Sequence, residues 1–377
     1  MSAASAPRSR VLVAMSGGVD SSVTAHLLLK QGYECIGATM RLYDGATAGR
    51  DSERACDNER DIRDAAALAA QLGIEHRVID CREQFDRDVI ERFVSAYETG
   101  LTPNPCVLCN RSLKFGRLFE IADELGCDYV ATGHYARIER DDDGSALLAK
   151  AADATKDQSY FLYTLTPDKL ARTLFPLGGL IKETDVRRIA EEQGFAIAKK
   201  GDSQGICFVP DNDFARFIER RRDRELPDGP IVNAAGDVLG THHGAIRYTI
   251  GQRKGLGVAM ARPVFVTSID AASNTVVLGE SEDLDASGLV ACDWTWSVPA
   301  REAQAALDAA GDTGIAVCAK VRYRQPDQEA RLMRGRHDGE MVLLFEAAQR
   351  AIAPGQAVVA YRGDIVLGGG TAVRALA

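Results

Sequence analysis

The run Val11 to Met15 is built of strand-forming side chains and ends in Ser16-Gly17-Gly18-Val19-Asp20-Ser21-Ser22. No other stretch constrains the fold as much. Two adjacent glycines, a cluster of small polar residues and a helix-forming segment over Asp20 to Lys30 describe a strand that turns sharply into a helix. Glycines at such a turn let successive backbone N–H groups converge on one point, and the positive end of the helix dipole faces the same point. The predicted product is an anion cradle, to which Ser16, Ser21 and Ser22 can add hydroxyl donors. The blander reading makes Asp20 and Ser21 helix caps on a polar turn. A Walker loop needs Gly-Lys-Ser/Thr, and this loop carries no lysine, which disfavours kinase-like and GTPase-like chemistry.

From Arg10 to about Gly133, strand-like and helix-like segments alternate: Val11 to Met15, Ser21 to Lys30, Cys35 to Met40, Arg60 to Leu72, His76 to Asp80, Phe85 to Tyr97, Ser112 to Leu125 and Tyr129 to Thr132. Apolar strands alternating with helices predict an α/β domain with a parallel sheet covered on both faces. Ligands of such sheets bind beyond the carboxyl ends of the strands. The glycine loop, Met40 and Gly133 all fall at that edge. A hairpin follows over Tyr135 to Lys150, turning at Asp141-Asp142-Asp143-Gly144, then a helix over Glu183 to Gln193 and a charged helix over Asp211 to Arg222. Glycine-rich sequence around Gly240 to Gly257 suggests a small mixed domain. From about Val264 onward, short strands and turns predict a β-barrel or sandwich. At 377 residues the chain is long enough for two or three domains, here expected at 1–210, 211–284 and 285–377.

The net charge of −9 is not that of a general nucleic-acid binder. Basic runs nevertheless crowd two segments, Arg216 to Arg224 and Arg322 to Arg336; each is either a solvated face or a contact for nucleic acid. No window is long and apolar enough for a membrane span and no signal peptide is evident, so a cytoplasmic location is expected. Nine cysteines without a secretion signal argue for free, catalytic or metal-binding thiols rather than a disulfide scaffold.

Two further stretches carry chemistry. Thr102-Pro103-Asn104-Pro105-Cys106-Val107-Leu108-Cys109-Asn110 reads as a proline-stiffened turn between two helices that places two thiols together: a redox pair, half of a metal site, or two unremarkable small residues. Gly201-Asp202-Ser203-Gln204-Gly205-Ile206-Cys207-Phe208-Val209 holds a glycine-flanked cysteine whose bland reading is a buried strand residue.

The glycine loop resembles the pyrophosphate loop of the ATP pyrophosphatases. Together with Thr132-Gly133-His134-Tyr135-Ala136-Arg137, Lys156-Asp157-Gln158-Ser159-Tyr160-Phe161-Leu162, the two cysteine stretches, Thr249 to Gly257, Val321-Arg322-Tyr323-Arg324-Gln325 and Pro354-Gly355-Gln356-Ala357, it resembles the tRNA-specific 2-thiouridylase family over nearly the whole chain. That resemblance implies ATP-dependent replacement of the 2-oxygen of wobble uridine 34 by sulfur in tRNAs for lysine, glutamate and glutamine. It implies Cys109 as nucleophile and Cys207 as persulfide carrier. ATP would be held by Ala14, Met15, Ser16, Gly17, Gly18, Val19, Asp20, Ser21, Met40 and Gly133, and tRNA by Asn104, Pro105, Cys106, His134, Lys156, Asp157, Gln158, Arg322, Tyr323 and Gln356. Mg2+ would accompany ATP, with Asp20 as a direct or indirect partner. A persulfide-donating protein, either a cysteine desulfurase or a sulfur relay, is the implied partner.

The chemistry suits those residues. A uracil oxygen leaves only after ATP converts it to an O-adenylate, and sulfur delivery then needs one cysteine to carry it and another to release it. One position departs from the family pattern, since relatives often carry aspartate where this chain has Cys106. That departure raises a rival arrangement, an iron–sulfur cluster on Cys106, Cys109 and Cys207 with one open iron. Two other functions share the glycine loop: a synthetase adenylating a small molecule, and a non-catalytic nucleotide sensor with redox-responsive cysteines. Cys109 and Cys207, nearly a hundred residues apart, both lie on glycine- or proline-flanked stretches, so the Cys207 segment is expected to move.

Overall fold

The structure, a computed structural model, describes residues 9–43, 57–198, 200–201, 205–209 and 211–377. Asp202, Ser203 and Gln204 of the second cysteine stretch, and the expected domain boundary at Pro210, lie outside them.

β1 (Arg10–Ala14) leads through the glycine loop into α1 (Val19–Lys30). It pairs in parallel with β2 (Glu34–Arg41), β2 with β3 (Glu75–Asp80), and on its other side β1 pairs with β4 (Tyr129–Ala131). Val11, Leu12 and Val13 expose no surface at all, as a central strand covered on both faces requires. α2 (Asp57–Leu72) buries Ile62, Ala65, Leu68 and Ala69, the stripe of an amphipathic helix. The hairpin β5 (Arg137–Arg140) and β6 (Ala146–Ala149) follows, and β7 (Thr173–Leu174) completes a parallel sheet of order β3-β2-β1-β4-β7.

β8 (Asp228–Asn233), β9 (Val238–His243), β10 (Phe265–Asp270) and β11 (Thr275–Gly279) form a separate sheet of order β10-β11-β8-β9 around Ile231, Val266, Val276 and Leu278. The strands from Val264 to Leu278, read from sequence as the start of a terminal barrel, thus belong to the middle sheet. β12 (Asp285–Trp296), β13 (Ile315–Lys320), β14 (Gln328–Arg334), β15 (Met341–Arg350), β16 (Ala357–Arg362) and β17 (Ile365–Leu376) run in order β12-β15-β14-β13-β16-β17, and the β12–β17 pairing closes them into a barrel.

Packing adds two facts that the sequence reading did not contain. The β5–β6 hairpin forms as expected but extends the barrel sheet, through Ile365 opposite Ala149, rather than the parallel one. One apolar core accordingly runs from Leu12 and Val130 through Tyr160 and Leu162 to Val359 and Tyr361. The Tyr160 hydroxyl donates to the Ala357 carbonyl at 2.7 Å, fixing barrel to sheet. Three arginines of the basic run near residue 220 are paired internally. Arg221 pairs with Asp86 (2.7 Å), Arg222 with Glu91 (2.6 Å) and Glu98 (2.8 Å), and Arg224 with Glu98 (2.9 Å). Those three arginines strap the helix Phe214–Arg222 to the helical run 82–98, their charges met by carboxylates of this chain.

Beneath that strap Phe208 is 1% exposed and meets the rings of Phe85, Phe93 and Phe217 at 5.7, 5.2 and 5.4 Å. Edge-on aromatic packing of this kind adds to the area buried. It anchors the chain one residue after Cys207. Phe208→Ala should therefore cost about 3–5 kcal/mol, measured by chemical denaturation of the full chain; a change under about 1 kcal/mol would mean that the cluster does not hold this segment.

Candidate active site

The cradle forms at the carboxyl end of β1. Gly17 takes φ +68°, and a Cβ there would stand 2.4 Å from the Asp61 carbonyl oxygen, so both backbone shape and packing against α2 demand glycine. Gly18 caps α1 in extended conformation with no side-chain hydrogen bond. The first-turn N–H groups are consequently left to a ligand. The hydroxyls of Ser21 and Ser22 turn inward and donate to the Gly18 carbonyl at 3.0 and 2.9 Å. They shape the loop instead of adding donors, contrary to the sequence reading, whereas Ser16 is exposed. Ala14 and Gly18 are half-buried, Met15 and Val19 buried. Gly133 approaches from β4, where a Cβ would lie 2.9 Å from Asp20 C and Ser21 N. Met40, half-buried, packs against two apolar clusters at the end of β2.

Asp20 is neither cap nor open metal ligand here. Its Oδ1 accepts from the Tyr135 hydroxyl at 2.7 Å and its Oδ2 from Lys182 Nζ at 2.7 Å. Lys200 Nζ donates to the Gly17 carbonyl at 2.9 Å while paired with Asp61 (2.8 Å) and Asp64 (2.9 Å). A magnesium ion arriving with ATP would thus meet an Asp20 whose two oxygens are already engaged; the nucleotide's own phosphates are the ready ligands.

The thiols lie on a different kind of element from the one expected. Pro105 is the first residue of a helix, Pro105–Cys109, that continues through Asn110–Arg117 with a kink at Phe115 (φ −124°, ψ 15°). Proline pre-organises a first helical turn as readily as a loop, and three-residue spacing puts Cys106 and Cys109 on one face. Cys106, Cys109 and Cys207 are all free thiols. Cys207 follows from the Phe208 anchor, and Tyr43 donates to its carbonyl at 3.1 Å. Cys109, Ile206, Tyr43 and Met40 border the same apolar cluster, so the two cysteine stretches meet.

The electrostatics tie the three thiols together. Cys207 keeps exposed surface, yet the protein packed around its sulfur pushes its thiol up to about 12, with any charge on Cys109 or Cys106 adding to the effect. Burial likewise raises Cys109 and Cys106, and Lys114 opposes the rise in all three. In this state the thiols are protonated at neutral pH, and Lys114 is the cation that favours their ionised form. Among the described residues no group of three or more His, Cys, Asp or Glu side chains is placed to hold a metal ion. The iron–sulfur arrangement therefore finds no ligand set there.

His134 is buried, with Thr132 Oγ1 2.7 Å from Nδ1 and Lys114 Nζ 3.5 Å from Nε2. An ammonium can only donate, so Nε2 accepts and Nδ1–H points to Thr132. Burial first, then Lys114, holds this imidazole well below its ordinary value, hence neutral. Several expected tRNA contacts serve the framework. Asp157 accepts from Ala151 N, Ser159 N and Ser159 Oγ; Gln158 from Tyr135 N; Gln356 donates to Thr102 O at 2.9 Å; and Arg322 donates to the carbonyls of Arg350 and Ala351. Tyr323 lies against Phe161 with ring centroids 4.4 Å apart, and Phe161 O accepts from Asn110. Pro105 is buried, Asn104 and Lys156 half-buried, and Cys106 exposed. Lys114, Lys182, Lys200, Tyr135 and Tyr43 were missed from sequence. Lys114 alone had a local signal, a helical position two turns beyond Cys106.

Removing Lys114 should raise the thiol pKa values further, because its charge favours thiolate. Lys114→Met is expected to slow iodoacetamide alkylation of Cys109 severalfold at pH 8 and to move its rate profile to higher pH, with Lys114→Arg close to wild type. Identical profiles for all three would remove Lys114 from the site.

Comparison with known proteins gives this geometry a family. Residues 9–211 match the tRNA methyl transferase HUP domain, 215–280 the tRNA methyl transferase PRC-barrel domain and 287–372 the aminomethyltransferase beta-barrel domain. The tRNA-specific 2-thiouridylase MnmA of Geotalea uraniireducens is 47% identical over 96% of this chain and 94% of its own length. That of Geobacter metallireducens is 48% identical over 96% of each. A 4-thiouridine synthetase in complex with RNA and ATP is 19% identical with a TM-score of 0.36, covering 56% of this chain and 50% of that one, a likeness too distant to bear on function. The HUP-domain description says methyl transferase, but near-full-length identity to curated thiouridylases decides. The chain belongs to the tRNA-specific 2-thiouridylase family, and the protein is a tRNA sulfurtransferase with an ATP-pyrophosphatase fold.

Proposed function

We propose that this enzyme converts wobble uridine 34 to 2-thiouridine in tRNAs for lysine, glutamate and glutamine, using ATP and a persulfide on Cys207. The observation that carries the reading is that the Cys109 and Cys207 stretches border one apolar cluster with Met40, at the end of the strand that pairs with β1 of the glycine loop, and that Cys207 feels the charge of Cys109. The domain division at 1–210, 211–284 and 285–377 and a cytoplasmic location belong to the same reading; among the described residues no helix is long and apolar enough to cross a membrane.

The steps follow from bond chemistry. The uracil O2 attacks the α-phosphorus of ATP, pyrophosphate departs into the N–H groups of the α1 first turn, and C2 becomes electrophilic. A sulfur donor, a desulfurase or relay protein carrying persulfide, transfers its terminal sulfur to Cys207. That sulfur then reaches C2 by one of two routes. Either Cys109 first attacks Cys207 Sγ and frees hydrosulfide, or the persulfide attacks C2 and Cys109 then resolves the mixed disulfide. AMP carries away the oxygen, and in both routes the two electrons come from Cys109 and Cys207, which end as a disulfide. The thiols must ionise to act, and binding of substrate beside Lys114 is where their raised pKa values would be relieved. Tyr323 and Phe161 offer an aromatic face to an extruded base, and Asn110, next to Cys109, holds the Phe161 carbonyl.

Cys207→Ser should abolish 2-thiouridine but leave tRNA-dependent AMP formation within about threefold of wild type, since the oxygen-activating half of the site is untouched. Incubation with unmodified tRNA, ATP and a persulfide donor, followed by nucleoside analysis, makes the test. Substantial 2-thiouridine from this variant would overturn the Cys207 assignment.

A further inference from the structure

A cradle for polyphosphate needs more than backbone dipoles. The triphosphate of ATP carries several negative charges, and loops of the Walker type meet them with a lysine inside the loop. Here the equivalent stretch offers Val19-Asp20, so the loop's only charged side chain has the wrong sign. Uncompensated, Asp20 would repel the ligand that the α1 N-terminus attracts.

The structure supplies the missing cation from 162 positions further along the chain. Lys182 has a side chain only 4% exposed, with Nζ 2.7 Å from Asp20 Oδ2 and 5.6 Å from the centre of the Tyr135 ring, whose hydroxyl binds the other Asp20 oxygen. Its backbone N–H donates to Asp153 Oδ2 at 3.0 Å, and Asp153 is held in turn by Thr155 N and Oγ1 at 3.0 and 2.6 Å. Both the root and the tip of the side chain are fixed. Burying an ammonium is costly, and a carboxylate in a helix first turn is already favoured by the dipole without a lysine. A merely structural cap explains neither the burial nor the position. Lys200 differs: it faces two carboxylates and the Gly17 carbonyl, so its charge is over-neutralised and it sets the loop backbone.

We propose that Lys182 is the phosphate-binding residue of this site, standing where Asp20 and Tyr135 hold its ammonium against the first turn of α1 and contacting the β- or γ-phosphate of ATP. This rests on the reading that the glycine loop binds ATP. An ammonium is a compact donor of three hydrogen bonds, suited to join phosphate oxygens while keeping Asp20.

The test is equilibrium binding of ATP, inorganic pyrophosphate and AMP to the full-length protein. Lys182→Met should weaken ATP and pyrophosphate at least about tenfold and change AMP by no more than about threefold, as expected for a lost charge-assisted contact to the outer phosphates. Lys182→Arg should retain most of the ATP affinity. The double variant Asp20→Asn with Lys182→Met removes both charges of the Asp20–Lys182 pair, so it guards against misfolding from a lone Asp20 carboxylate, and it should remain at least about fivefold weaker than wild type for ATP. Equal loss of ATP and AMP, no loss of either, or full recovery of ATP binding in the double variant would overturn the proposal, the last by reducing Lys182 to a neutraliser of Asp20. A wild-type protein that binds AMP but neither ATP nor pyrophosphate would instead overturn the nucleotide reading, and this one with it.

Discussion

The first turn of α1 is the reference point of the whole site. Gly133 must lack a side chain because β4 delivers it against the backbone of Asp20 and Ser21. Tyr135, two residues on, and Lys182, after the sheet is complete, both end on the Asp20 carboxylate. Lys200 fixes the Gly17 carbonyl on the loop's other side. Three separate stretches of chain are thereby registered on one turn, and a shift of any of them moves the donors that would face a phosphate. Positioning of this kind lets backbone dipoles act at a defined reacting atom.

The thiol half shows the complementary design. Burial raises the thiols of Cys106, Cys109 and Cys207, and Lys114 is placed to favour their ionised forms. His134 stays neutral and, through Thr132, connects that lysine to the end of β4. Nucleotide half and sulfur half thus touch opposite ends of one short segment, 132–135. The barrel is fused to this arrangement by a continuous apolar core, and Gln356 ties it to the Thr102 carbonyl just ahead of the cysteine helix. Phe161 and Tyr323, the latter between β13 and β14 of the barrel, meet ring to ring across this junction.

Much of this was legible in the sequence where local pattern carries the information. The β1 to α1 turn, the alternation of strands and helices, and the hairpin at Asp141 to Gly144 all form as periodicity and turn chemistry dictate. What failed were statements about partners. The arginines near residue 220 look basic until Asp86, Glu91 and Glu98, more than a hundred positions away, neutralise them. Pro105 reads equally as loop or first helical turn, and only the following packing of Val107 and Leu113 decides for helix. Lys182 and Lys200 have no motif visible from the loop they serve. Asp157, Gln158 and Gln356, named through family resemblance as tRNA contacts, also carry framework hydrogen bonds that no local pattern announces.

The account turns on Cys109 and Cys207 being joined by the reaction itself. A single turnover with unmodified tRNA, ATP and a persulfide donor, in the absence of reductant and quenched by alkylation, allows peptide mapping of the thiols. A Cys109–Cys207 linked peptide in proportion to the 2-thiouridine formed is the predicted result. Formation of 2-thiouridine with both cysteines recovered fully alkylated and unlinked would contradict it.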